Sequence, residues 1–122
     1  MKLPLIVLAA SLAVAGCSTR ADLDKHLNSA YRAYDDGNCE RVMLELSRAD
    51  RASRSRVYMQ AEISMLRGQC LERQSLFVDA TQTYLYIINR FPLSEYAYRA
   101  KARLETLRQL GHFDPEKTIG AR

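Results

Sequence analysis

The sequence has few residues of the kind that interrupt helices. Its 122 residues include only five glycines and three prolines, and tryptophan is absent as well. Glycine and proline are the residues least compatible with a helix interior, so their scarcity beside abundant alanine, leucine, arginine and glutamate predicts an all-α fold. A chain of this length forms one small domain with a modest core.

Residue patterns for catalysis and metal binding are also missing. The only histidines are His26 and His112, and there is no His-Glu-x-x-His, Gly-x-Ser-x-Gly or Cys-x-x-Cys motif. Metal sites need clustered ligands. We therefore expect no enzyme activity, metal, cofactor or small-molecule substrate. The formal net charge of +4 is too small a surplus to indicate nucleic acid as a partner.

The first 17 residues, MKLPLIVLAASLAVAGC, have the pattern of a secretory signal peptide. A lysine precedes an apolar run that ends in small residues. The small-small-Cys ending resembles the lipobox of bacterial lipoproteins. That resemblance implies removal of residues 1–16 and lipidation of Cys17, with two or more acyl chains giving stable anchoring. Residues 17–20 are then a lipidated tether without regular structure.

Two other interpretations of this segment stay open. One is an ordinary cleaved signal in which Cys17 is incidental; the other is a transmembrane helix, which polar Ser18-Thr19-Arg20 argues against. In bacteria with two membranes, lipoprotein sorting resembles a rule in which Asp after the lipidated Cys retains the protein at the inner membrane. Ser18 at that position indicates the periplasmic face of the outer membrane.

Two cysteines remain after Cys17, namely Cys39 and Cys70. An even number in an oxidising compartment favours a disulfide, and two separate buried thiols are the alternative. A bond would close a loop of roughly 30 residues and contribute roughly 3–4 kcal/mol in the chain-entropy model.

Helical periodicity predicts about five antiparallel helices within a domain of residues 21–111. The first starts at Ala21 and ends at Asp35-Asp36-Gly37-Asn38, and Ser94 is a suitable N-cap for the last. The other predicted helices are about Cys39–Asp50, Arg56–Arg67, Leu71–Phe91 and Glu95–Leu110. Residues 112–122 are predicted to be a flexible tail in which His112 is solvated.

Two glycine turns suggest an internal repeat. Asp36-Gly37-Asn38-Cys39 and Arg67-Gly68-Gln69-Cys70 match at a distance of 31 residues, a period typical of tetratricopeptide arrays. Segment Tyr84–Leu107 resembles the last repeat of periplasmic tetratricopeptide proteins, such as the Tol-Pal-associated protein and the lipoprotein of β-barrel assembly. The resemblance implies a short solenoid. An insertion of about seven residues before Ala80 departs from the family pattern, and a generic five-helix bundle is the alternative.

The resemblance also nominates a binding surface. In this family the first helix of each pair lines the concave face, so exposed tyrosines there are candidate anchors. The nominated tyrosines are Tyr31, Tyr34, Tyr58 and Tyr98. The densest charge cluster consists of Arg51, Arg54 and Arg56, next to Arg48. One interpretation is a contact surface for acidic lipid headgroups or for an acidic partner. The other is a solvated turn.

Together these features predict an outer-membrane lipoprotein whose tetratricopeptide-like domain holds an envelope protein in the periplasm, without catalysis. A structural accessory subunit of an envelope assembly or secretion machine is one alternative. A lipoprotein that contacts lipid or peptidoglycan through its arginines is another.

Overall fold

The computed structural model describes residues 3–120, with side chains from residue 19 to residue 117. Within that range the chain is helical and has no strand, which confirms the predicted all-α class. The helices are α1 Leu3–Asp35, α2 Cys39–Ala52, α3 Gln60–Arg73, α4 Phe77–Arg90, α5 Glu95–Gln109 and α6 Pro115–Gly120. A 3-10 turn, Val57–Met59, precedes α3.

The N-terminal predictions fall mostly on residues whose side chains are not described. The signal peptide over residues 1–16 and the lipid on Cys17 are in that group, and they stay predictions. The backbone of α1 continues through residues 17–20, where the sequence predicts a tether without regular structure. Among the described residues, no helix combines the length and apolar character needed to cross a membrane.

Helices α1, α3 and α5 end in the same way. Gly37, Ser75 and Gly111 follow them with positive φ angles of 75°, 60° and 80°. After each, the next amide donates back to a carbonyl in the last turn, which is the Schellman arrangement. These bonds are Asn38 N to Ala33 O, 2.8 Å, Leu76 N to Leu71 O, 2.9 Å, and His112 N to Leu107 O, 2.8 Å.

The repeat therefore has a different register from the one that the sequence predicts. Ser75 lies 38 residues after Gly37, and Gly111 lies 36 residues after Ser75. Buried residues follow the same 38-residue offset, and the pairs are Ala30 and Gly68, Val42 and Ala80, Leu46 and Tyr84, and Ala49 and Ile87. In this register no insertion precedes Ala80. The chain thus folds as helix pairs α1–α2 and α3–α4, followed by α5.

The sequence-based prediction of a turn at Gly68 is wrong. Gly68 lies inside α3, so the predicted helices Arg56–Arg67 and Leu71–Phe91 are wrong at their shared boundary. A Cβ atom on Gly68 would stand 2.5 Å from Cε1 of Tyr84. Glycine is present because α4 packs its aromatic ring directly against the α3 backbone, and the real turn is at Ser75.

Other boundaries follow their local signals. The Asn38 side chain accepts from the Arg41 amide at 3.0 Å and begins α2. Ser94 accepts from the Ala97 amide at 3.1 Å and begins α5, as predicted. The start of the predicted flexible tail contacts the domain: His112, although exposed, stacks on Phe77 with ring centroids 3.7 Å apart, and Phe113 packs on the core of α3, α4 and α5.

The predicted disulfide is present. Cys39 at the start of α2 is bonded to Cys70 near the end of α3, with Cα atoms 5.4 Å apart, and both residues are buried. The two cysteines are not equivalent in the repeat, since the residue 38 positions after Cys39 is Phe77. The bond joins the first helix pair to the second.

Removing the disulfide tests its role as this link. For a separation of 31 residues, Cys39→Ala with Cys70→Ala is expected to lower the free energy of unfolding by about 3–4 kcal/mol. Urea denaturation of oxidised wild type and of the double variant measures the loss. Wild-type protein kept reduced by reductant throughout serves as the control and should match the double variant; a variant as stable as oxidised wild type contradicts the prediction.

Substitution of Gly68 tests the close approach of α3 and α4. Alanine is intrinsically better than glycine in a helix by about 1 kcal/mol, yet Gly68→Ala is expected to destabilise the protein by about 1–3 kcal/mol because its Cβ overlaps Tyr84. Chemical denaturation gives the sign directly. In a Tyr84→Leu background the same substitution should become neutral or stabilising; equal destabilisation in both backgrounds rules out the steric cause.

Candidate partner-binding face

The first helices of the pairs, α1 and α3, together with α5, are joined by direct side-chain bonds. Tyr31 of α1 donates its hydroxyl to Glu62 of α3 at 2.7 Å. Arg73 of α3 donates to the backbone carbonyl of Tyr34 at 2.6 Å. Arg103 of α5 binds Glu72 of α3 through two bonds, of 3.0 and 2.5 Å. We call the surface that carries these bonds the first-helix face.

One part of this face is organised around the Glu62 carboxylate. Burial raises the pKa of the Tyr31 phenol well above its usual value, and the hydrogen bond and charge of Glu62 act in the same direction. Burial, then the charges of Glu62 and Glu95, raise the pKa of Tyr96 to about 12. The single O–H of Tyr31 is used by Glu62. With the side chain 38 % exposed, Tyr31 therefore offers a partner apolar ring surface and the acceptor lone pairs of its oxygen.

The other part of the face is a pocket with a volume of about 340 Å³. Its lining residues are Tyr34, Gln69, Glu72, Arg73 and Arg103. The Arg73 guanidinium lies 3.5 Å from the centre of the Tyr34 ring, a cation–π contact. Glu72 is satisfied by Arg103 and by the Tyr84 hydroxyl at 2.8 Å. Arg73 has no ion pair among the described side chains, so its positive charge is available to a partner.

The four nominated tyrosines do not form one site. Tyr31 and Tyr34 lie on the first-helix face, as expected for first-helix residues. Tyr58 in the 3-10 turn and Tyr98 in α5 are 68 % and 79 % exposed, and neither makes a hydrogen bond or ring contact with another described residue. Glu62, Arg73 and Tyr96 complete the face, and the sequence does not single them out.

The nominated arginines also separate. Arg51 and Arg54 are exposed and Arg56 is half-buried. Arg51 and Arg48 line a second pocket, with Thr19, Asp22, His26 and Ala52. Arg54 and Arg56 do not line that pocket. The cluster in the sequence is therefore a pair of arginines at one pocket and two further residues in the connection after α2.

A buried carboxylate behind this pocket was not expected from the sequence. Glu45 of α2 is 2 % exposed, and its oxygens lie 2.8 Å from His26 Nδ1, 3.0 Å from Arg48 and 3.5 Å from Arg41. The bond with His26 lowers the pKa of the Glu45 carboxyl against the opposing effect of burial, and Arg48 adds to the lowering. The sequence offers one signal that Glu45 is buried: it lies between Val42 and Ala49 on the buried side of α2.

The described residues contain no group of three or more histidine, cysteine or acidic side chains placed to hold a metal ion. No protein-family model, curated protein or solved structure matches this chain. The resemblance of Tyr84–Leu107 to periplasmic tetratricopeptide proteins therefore stays a hypothesis, and the face is interpreted from its own geometry.

The Glu45 network makes stability depend on pH. Because folding lowers the pKa of this carboxyl, its contribution is present above the unfolded value, 4.5, and is lost as the pH falls through the folded value. Glu45→Gln is expected to lower the free energy of unfolding by about 1–3 kcal/mol at pH 7. The difference in the free energy of unfolding between this variant and the wild type should narrow toward pH 3.

Urea denaturation of both proteins between pH 7 and pH 3 measures this difference. Glu116→Gln, at an exposed glutamate without an ion pair among the described residues, is the matched control and should follow wild type throughout. A difference for Glu45→Gln that is constant with pH contradicts the assigned role of the charge.

Proposed function

We propose that this protein is a non-catalytic adaptor of the bacterial cell envelope. A lipid on Cys17 anchors it to the periplasmic face of the outer membrane, and the first-helix face binds a segment of another envelope protein. The observation that carries the proposal is the first-helix face itself, where tyrosine rings and an arginine without an ion pair surround a pocket of about 340 Å³.

The chemistry of the face suits recognition of a polypeptide. Tyrosines combine apolar area with a hydroxyl, and they occur often among residues that dominate binding energy. Tyr31 and Tyr34 are held in place by Glu62 and Arg73, so little side-chain entropy is lost on binding. The available charge of Arg73 favours a segment that carries a carboxylate near an apolar or aromatic residue.

The anchor rests on the sequence of the first 17 residues. A lipidated N-terminus would keep a small domain at a membrane without a spanning helix. Mass spectrometry of protein from bacterial membranes tests it. The proposal expects a chain that begins at Cys17 and carries a diacylglyceryl group and an N-acyl chain; a chain that begins at Ser18 or later rejects it.

A structural subunit is the second candidate. Several large apolar side chains are exposed outside the first-helix face, among them Val78 at 74 %, Leu93 at 100 % and Leu110 at 64 %. A subunit that packs into an assembly would cover such surface. The tetratricopeptide-like assignment serves either candidate, since both need a rigid helical scaffold.

Photo-crosslinking in intact cells separates the two candidates. A photoreactive phenylalanine derivative is introduced in place of Tyr34 on the first-helix face, of Leu44 on α2, or of Leu93. The adaptor predicts adducts from position 34 that disappear with Arg73→Ala and persist with Arg90→Ala, an exposed arginine of α4. Adducts confined to position 93 indicate the subunit instead, and adducts from position 44 alone contradict both.

A further inference from the structure

The pocket beside α1 and α2 contains charges that the adaptor proposal does not use. Its volume is about 470 Å³, and its lining residues are Thr19, Asp22, His26, Arg48, Arg51 and Ala52. Thr19 stands two residues after Cys17, so this pocket is close in sequence to the proposed anchor. Three of its residues can carry positive charge, and Asp22 carries negative charge.

Glu45 fixes the orientation of two of the pocket's three basic groups, His26 and Arg48. A carboxylate only accepts hydrogen bonds, so the His26 nitrogen 2.8 Å from Glu45, Nδ1, bears a proton. The other ring nitrogen, Nε2, has no hydrogen bond with a described residue. Arg48 donates one of its five N–H groups to Glu45 at 3.0 Å. Its remaining donors stay available in the wall of the pocket.

The remaining two charged side chains of the pocket, Arg51 and Asp22, are not neutralised by any side chain between residues 19 and 117. Neither Arg51 nor Asp22 forms an ion pair with any described side chain, and both are exposed. In particular, Asp22 does not pair with either arginine of the same pocket, although all three line it. The pocket therefore holds separate positive and negative groups, a pattern that fits a ligand with both charges.

We propose that this pocket binds a phosphate ester that carries a primary ammonium, the phosphoethanolamine group. Arg48 and Arg51 receive the phosphate oxygens, since guanidinium groups match phosphate geometry with paired donors. Asp22 accepts hydrogen bonds from the ammonium. The carboxylate of Asp22 disfavours a bare phosphate dianion, and a purely cationic ligand would meet the two arginines.

The group has two sources, a soluble ester or the headgroup of a membrane lipid. If the proposed anchor on Cys17 holds the domain at a membrane, the headgroup is within reach, and that source depends on the proposed function. Binding of the soluble ester does not depend on it. Failure of the adaptor proposal and failure of this one are therefore distinguishable.

Titration of the full-length protein in detergent micelles tests the site. The probes are O-phosphoethanolamine and inorganic phosphate, and the readouts are the dissociation constant and the NMR signal of the His26 ring. The expected result is a shift of that signal and at least tenfold tighter binding of O-phosphoethanolamine than of phosphate, as one charge-assisted contact gives about that factor.

Three variants assign the contacts. Arg51→Ala should weaken both probes about tenfold, and Asp22→Asn should remove the preference for O-phosphoethanolamine. Arg54 is an exposed arginine outside the pocket, so Arg54→Ala should change neither the affinity for the two probes nor the preference between them. Equal affinity of the wild type for both probes, an unmoved His26 signal, or an equal loss with Arg54→Ala overturns the proposal.

Vesicles identify the source. A chain with Cys17→Ala, which cannot be acylated there, is added to phosphatidylcholine vesicles with or without phosphatidylethanolamine. Binding that requires phosphatidylethanolamine and is lost with Arg51→Ala supports the lipid headgroup as ligand. Binding of the soluble ester alone supports the same site with a soluble ligand, and binding to neither form overturns it.

Discussion

Helix α3 is the element on which the rest of the structure depends, because alternate residues near its C-terminal end contact three different neighbours. Gly68 admits the Tyr84 ring of α4, and Cys70 is bonded to α2. Glu72 pairs with Arg103 of α5. An uninterrupted α3 is therefore required for the 38-residue relation between the helix pairs, and a break at Gly68 would separate these three contacts.

The same helix couples the core to the candidate binding face. Burial and the hydrogen bond to Glu72 raise the pKa of the Tyr84 phenol far above its usual value, so this hydroxyl remains a donor. The Glu72 bond in turn raises the pKa of Arg103. Because Glu72 is satisfied in this way, the next residue, Arg73, keeps its charge for a partner while it packs over Tyr34. Packing in the core thus determines which charge the face presents.

Local signals in the sequence predicted the helical class, the start of α5 at Ser94 and the Cys39–Cys70 bond. They failed at Gly68, because a glycine within a helix looks like a terminator when its cause is a tertiary contact with Tyr84. They also missed the turn at Ser75, a non-glycine residue with positive φ. Tyr31 was nominated through the family resemblance, in which first helices line the concave face, whereas Glu62 could not be distinguished from a solvated charge until α1 and α3 were placed together.

Backbone NMR measures the continuity of α3. A continuous helix gives helical Cα chemical shifts for every residue of α3, with slow amide hydrogen exchange at Gly68 and Gln69. The same spectra should show a left-handed turn at Ser75, in agreement with its φ of 60°. Non-helical shifts and fast exchange at Gly68 and Gln69, with a helix that resumes at Leu71, would contradict the continuity of α3.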